Sequence, residues 1–233
     1  MRALRVHHDH LSSGDLVAEH LRLRGWEVEE RVVVPPDRFG SPGIGHRFPD
    51  PAGYDLLVPG GAPWSAYDDV LVGAWLRPEL DWLRAAAAAG VPVLAICFGA
   101  QALARALGGG VAASDRPELG YTDIETDEPG LVGPGPWFQW HYDTFTVPPG
   151  AREVARNAAG PQAYAIGRCL AVQFHPEVTP EIVAAWMANG GAGQAARRGI
   201  DPAGLLAGMR AERAASRARC AALVDAFLID AAG

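Results

Sequence analysis

Cysteine is scarce in this chain: three thiols in 233 residues, at positions 97, 169 and 220. Spacings that wide make neither a disulfide framework nor a zinc pattern. No apolar run comes near the ~20 residues that a bilayer-spanning helix needs. The start, Met1 to Asp9, has no charged-then-apolar leader, so the expected location is the cytoplasm. A basic balance is also missing. The net charge is −7, whereas a nucleic-acid partner calls for a positive face. Neither nucleic acid nor a membrane is an expected partner, and no internal repeat is visible. What remains is 49% apolar and 20% charged residues, the balance of a globular protein. A length of 233 residues suits one α/β domain.

Residues 2–7 read as a first strand, and Ser12 or Ser13 as the cap of a helix carrying Leu16, Val17, His20, Leu21 and Leu23 up to Gly25. Trp26 to Val34 alternates as a second strand. Residues 35–53 are rich in Pro, Gly and charge, a loop long enough to be functional or mobile. Tyr54 to Pro59 reads as a third strand, and Asp68 to Ala89 as a helix with an expected break at Pro78. Beyond the glycines at 108–110 come short strands, with Gly167-Arg168 as a two-residue hairpin turn. Thr179 starts a helix holding Ile182, Val183, Trp186 and Met187. From Asp201 a long helix puts Leu205, Met209, Cys220, Val224 and Phe227 on one stripe that packs on the domain. The pattern predicts an α/β fold, a mostly parallel central sheet with helices on both faces. It is read as one domain over 1–233, with a helical extension at about 201–229.

The apolar run Val91 to Ile96 stops at Cys97, Gly99 follows, and a helix-forming stretch begins. That is a buried strand turning sharply into a helix, with a thiol on the turn. The dipoles of the following helix favour the thiolate, and the N–H of Phe98 can receive an oxyanion. A plain core cysteine fits the same elbow. A second apolar run, Ala171 to Phe174, ends in His175-Pro176-Glu177. A general base must touch the thiol, and a third group must orient the imidazole. In an extended chain His175 and Glu177 point the same way, and Pro176 fixes the backbone between them. Cys169 and Cys220 read as packing residues. His7, His8, Asp9 and His10 look like metal ligands, but alternation sends neighbours to opposite faces. They are read as a polar loop near a pocket rim, with no metal.

Cys97-Phe98-Gly99-Ala100-Gln101, together with Gln173-Phe174-His175-Pro176-Glu177, resembles the class I (triad-type) glutamine amidotransferases, close to the glutaminase part of GMP synthase. Val58-Pro59-Gly60-Gly61-Ala62-Pro63-Trp64-Ser65-Ala66-Tyr67-Asp68 is similar to the family's oxyanion loop. Glu118 to Tyr121 and Trp140 to Phe145 are similar to its middle landmarks, in the family's order over roughly residues 1–190. The resemblance implies a flavodoxin-like fold and a Cys97, His175 and Glu177 triad. It implies oxyanion donors at Gly61 and Phe98, and substrate contacts at Gly60, Gln101, Trp140, Tyr142 and Asp143. No cofactor is implied.

The implied reaction is hydrolysis of the γ-amide of glutamine to glutamate and ammonia through a γ-glutamyl thioester. No ATP-pyrophosphatase motif is present, so the ammonia is expected to go to a separate synthetase subunit or to be released. Two departures bear on the substrate. Tyr142 stands where many relatives have Gly, which narrows or reshapes the pocket, and Ala95 replaces a glycine before the nucleophile. A stand-alone hydrolase of γ-glutamyl conjugates, in a catabolic or tailoring pathway, is the second reading. A silent regulatory domain is the third, and the intact Cys97, His175 and Glu177 set argues against it.

Overall fold

The computed structural model describes residues 1–232. The chain runs β1 (Arg2–His7), α1 (Leu16–Leu23), β2 (Glu27–Val32), β3 (Leu56–Pro59), α2 (Gly73–Ala88), β4 (Val93–Ile96) and α3 (Phe98–Ala106). It continues through β5 (Val111–Thr122), β6 (Glu125–Thr126), β7 (Trp137–Phe145), β8 (Arg152–Asn157), β9 (Gly160–Ile166) and β10 (Cys169–Val172). Three helices close it: α4 (Pro180–Trp186), α5 (Ala192–Arg197) and α6 (Pro202–Asp230). The main sheet has the order β2-β1-β3-β4-β10-β9-β8-β6, while β5 and β7 form a separate two-stranded sheet. Strands β2, β1, β3, β4 and β10 are parallel, and the remaining three run antiparallel. The expected α/β architecture is what the chain adopts.

Both faces of the parallel half are covered, which explains why its central strands β3, β4 and β10 are continuously apolar. Leu16, Val17 and Leu21 of α1 share one core with Cys220, Leu223, Val224 and Phe227 of α6. Trp75, Leu76, Trp82 and Leu83 of α2 share the other with Phe98 and Leu103 of α3. Removing a large apolar side chain of this kind from water contributes roughly 1.5–3 kcal/mol. A third cluster joins Phe138, Ile182, Val183, Met187 and Met209. No helix among the described residues is long and apolar enough to cross a membrane.

Four expectations need correction. Helix α1 is capped by Asp15, whose Oδ1 accepts the N–H of Ala18 at 2.8 Å, not by Ser12 or Ser13. Gly14, at φ +76°, turns the chain after both serines, so neither stands next to the helix. Helix α2 starts at Gly73 rather than Asp68, and runs through Pro78 without a break. The proline forfeits one bond early in the helix, while four buried side chains, Trp75, Leu76, Trp82 and Leu83, hold the helix down. The loop over 35–53 is pinned rather than mobile: Trp75 and Trp82 donate their indole N–H to the carbonyls of Pro42 (3.0 Å) and Pro49 (2.8 Å). His7 and His8 are buried side chains, not a polar loop. His7 Nε2 meets Glu30 at 2.8 Å, because a strand-end histidine taken out of water needs a partner.

Candidate active site

Parallel pairing decides which residues share an edge. Strands β4 and β10 lie side by side, with Val93 opposite Cys169 and Ile96 opposite Val172. The residues just past each strand, Cys97 and Gln173 to His175, therefore emerge together at the carboxyl edge, where ligands bind in α/β sheets. The edge is tied by backbone: Cys97 N–H donates to Val172 O (2.8 Å) and His175 N–H to Phe138 O (2.8 Å).

Cys97 sits at φ +52°, ψ −108°, and it is the one non-glycine with positive φ among the described residues. Such a conformation costs of order 1–3 kcal/mol and persists only where the surroundings impose it. Gly99 shows how: an added Cβ would lie 2.4 Å from the carbonyl oxygen of Pro59, so α3 starts in direct contact with β3. Gln173 Nε2 points at the thiol, 3.6 Å from Sγ, and its Oε1 accepts from Gln101 Nε2 at 3.1 Å.

His175 Nδ1 lies 2.8 Å from Glu177 Oε1, and both side chains are buried. Burial by itself would lower the imidazole pKa. The charges of Glu177 and Cys97, with hydrogen bonds to both, outweigh it and raise the pKa well above the usual histidine range. For Glu177, burial pushes the carboxyl up, and the charges of His175 and Arg5 more than reverse this, so the net direction is down. Both directions favour an imidazolium paired with the Glu177 carboxylate. Arg5 is the group that sequence reading missed. Its Nε donates to Asp15 Oδ2 at 2.7 Å and its Nη1 to the Val58 carbonyl at 3.0 Å, fully inside the protein. An arginine between Leu4 and Val6 in an apolar strand was the available signal, because a buried charge requires a partner.

The two glycines of the 58–64 segment part company. Gly61 borders the reacting pair: a Cβ there would stand 2.9 Å from His175 Cε1 and 3.8 Å from Cys97 Cβ. Gly60 does not line the cavity, which corrects its expected substrate contact. Its missing side chain makes room for Arg5, whose Nη1 would lie 2.4 Å from an added Cβ. Gly61→Ala is therefore expected to displace His175 and lower kcat about 10²-fold with the fold intact, as misplacements of about 1 Å do. Steady-state kinetics beside circular dichroism checks this, and an unchanged kcat rejects the close approach.

Cys97, Phe98, Gln101, His175 and Gly61 line one cavity of about 860 Å³, counted to its open mouth. Trp140, Tyr142 and Asp143 line it as well. Tyr142 is 37% exposed, with the Arg198 guanidinium 5.8 Å from its ring centre, so it shapes the rim rather than narrowing the interior. Burial pushes the Asp143 carboxyl up, and it does the same to Asp9 on the wall. His141 braces this strand: Nδ1 faces the Asp143 carbonyl at 3.0 Å and Nε2 faces Glu118 at 3.1 Å. Phe39, Trp64 and Trp186 complete the wall. Trp64 was read within the oxyanion-loop segment and Trp186 within the helix after Thr179, but none of the three was read as pocket wall, since each comes from a loop or helix whose approach depends on tertiary packing.

A parallel sheet with a strained thiol at a strand-to-helix turn, faced by a histidine from the adjacent strand, defines an amidotransferase-type class of protein. The sequence profile described as Glutamine amidotransferase class-I matches residues 51–190, and the chain belongs to that family. Among its relatives, a GMP synthase (glutamine-hydrolyzing) from Aeropyrum pernix is 33% identical over 171 residues, 70% of this chain and 30% of that protein. Another from Parafrankia sp. is 42% identical over 131 residues, 52% of this chain and 23% of that protein. The chain thus spans under a third of the length of these relatives. In solved structures the fold recurs in a glutamine amidotransferase from Thermotoga maritima, with a TM-score of 0.81 and 24% identity over 97% of each chain. It recurs also in one from Methylobacillus flagellatus, with a TM-score of 0.77 and 23% identity over 98% of this chain and 93% of that one.

Proposed function

We propose that the chain hydrolyses the γ-amide of glutamine, with Cys97 as nucleophile, His175 as acid and base, and Glu177 as orienting group. The thiolate attacks the amide carbon, and the developing oxyanion is received by the N–H groups of Phe98 and Gly61. His175, held as imidazolium, passes its proton to the leaving nitrogen, so ammonia departs and a γ-glutamyl thioester remains. Water then enters, gives a proton to His175 and attacks the thioester; glutamate leaves and the thiol is restored. Gln101, Trp140, Tyr142 and Asp143 are assigned to the amino-acid end of the substrate. Ammonia is released or passes to a synthetase. One observation carries the reading: a buried imidazole is held by Glu177 at 2.8 Å and shares one cavity with the elbow thiol of Cys97.

A second reading has its own support. Phe39, Trp64 and Trp186 give the cavity an aromatic wall. That wall suits a γ-glutamyl conjugate whose leaving amine carries an apolar group. Rates with glutamine and with γ-glutamyl benzylamide, measured by release of ammonia and of benzylamine, separate the two. Higher kcat/KM on glutamine supports the amidotransferase. Turnover of the benzylamide alone would move the substrate class, and turnover of neither with purified protein sinks the proposed chemistry.

A further inference from the structure

Gly61 has its conformation imposed from both sides. The carbonyl of Gly60 accepts the N–H of Gly99 at 2.9 Å, and the carbonyl of Gly61 faces His8 Nδ1 at 3.1 Å. The other ring nitrogen of His8, Nε2, lies 2.9 Å and 3.1 Å from the two carboxylate oxygens of Glu79. Both side chains are 0% exposed, and the proposed chemistry uses neither. A carbonyl oxygen can only accept, so this contact requires the hydrogen on Nδ1. Glu79 holds the far nitrogen and fixes the tilt of the ring, as a carboxylate behind a working imidazole does elsewhere. The rings of Trp75 and Phe98 pack on the imidazole, at 5.4 Å and 4.7 Å between centroids. The other ionisable groups close by are Asp9 and His10 on the same segment and His46 from the 35–53 loop.

A glycine turns either neighbouring peptide over at little cost, and a turned peptide carries its N–H away from the thiol. We infer that His8 and Glu79 form a positioning dyad that clamps the Gly61 carbonyl from one side, while Gly99 holds the preceding peptide from the other, so that Gly61 cannot rotate its N–H away from where the oxyanion develops. The inference rests on the reading of Gly61 as an oxyanion donor. The dyad touches no substrate; it acts through the loop. This accounts for a charged helix residue, Glu79, in the middle of the apolar face of α2.

The test replaces the pair by apolar groups of similar shape, His8→Phe with Glu79→Leu, because exchanging a buried pair whole avoids leaving one charge stranded. Expected is a fall in kcat of about 10²-fold, the scale of one lost oxyanion donor, with KM unchanged. Binding of the γ-aldehyde analogue of glutamine, whose thiohemiacetal places an oxygen in the same spot, weakens by a similar factor. Alkylation of Cys97 by iodoacetamide keeps the rate of the unaltered protein, since it needs the thiolate and no oxyanion. A kcat near that of the unaltered protein overturns the inference. So does alkylation that falls in step with kcat, which would mean general collapse of the site. Nitrogen-15 spectra of histidine-labelled, unaltered protein provide an arm free of folding effects: His8 Nδ1 must carry a proton, and a bare Nδ1 ends the idea. If the unaltered protein turns over no γ-glutamyl amide, the reading of the site fails instead, and the spectra still decide the clamp.

Discussion

Replacing Cys97 with alanine lowers kcat for amide hydrolysis at least ~10³-fold while the protein stays folded. The expectation follows from what the side chain supplies. Without it no thioester forms, and only the oxyanion donors and binding contacts remain, which in other acyl-transfer enzymes leaves a small residue of catalysis. Alanine keeps the Cβ and removes one buried sulfur, so the elbow has little reason to change. The other two thiols cannot stand in. Burial pushes Cys169 up to about 11 and Cys220 also well up, so both stay protonated at neutral pH. The check is ammonia or amine release by the purified variant, with mass spectrometry after glutamine addition to catch the acyl adduct on the parent thiol. Comparable turnover in the two proteins would discard covalent catalysis at this position.

The second large effect is on stability. Arg5→Met should destabilise the fold by roughly 3–5 kcal/mol, the range seen when one partner of a buried ion pair is removed. The guanidinium is 1% exposed and bonds to Asp15, itself 0% exposed, and to two backbone carbonyls. Its removal strands the Asp15 carboxylate in the interior and takes away one of the charges that hold Glu177 down. The sign for activity follows. A Glu177 pKa depressed in the folded state rises once Arg5 is gone, so protonation sets in at higher pH and the acid limb of kcat moves upward. Urea unfolding gives the stability term and a pH–rate profile gives the other. Adding Asp15→Asn to the variant should restore part of the lost stability, because the amide still caps α1 and no longer needs a counter-charge. Full stability in the single variant would show that the pair carries no weight.

The sequence displayed the parallel half of the sheet clearly, because buried strands such as Val93 to Ile96 and Cys169 to Val172 are continuous apolar runs with glycine or proline beside them. Thr179 as a cap and Gly167-Arg168 as a hairpin turn were equally plain, each being a local matter of one side chain or one φ angle. Residues whose meaning is set by distant neighbours were harder. Pro78 looked like a helix breaker because the indoles that anchor α2 to Pro42 and Pro49 come together only in three dimensions. Gly60 and Gly61 look alike in the chain, yet one makes room for Arg5 and the other for His175. His7 and His8 read as polar loop because nothing nearby in sequence announces Glu30 or Glu79. The Cys97 and His175 segments were legible as chemistry since each ends an apolar run with a reactive side chain. The aromatic wall was not, because Phe39, Trp64 and Trp186 are far apart along the chain.

The position of β10 between β4 and β9 has a consequence for how the molecule comes into being. Strand β4 pairs with β3 as soon as it is made, but meets its other neighbour, β10, only after β5 to β9 have been laid down, a pairing of high sequence separation and hence slow to close. A growing chain thus carries its thiol for a long stretch of synthesis without the imidazole that arms it. On the proposed mechanism, hydrolytic competence arrives only with the insertion of one late central strand.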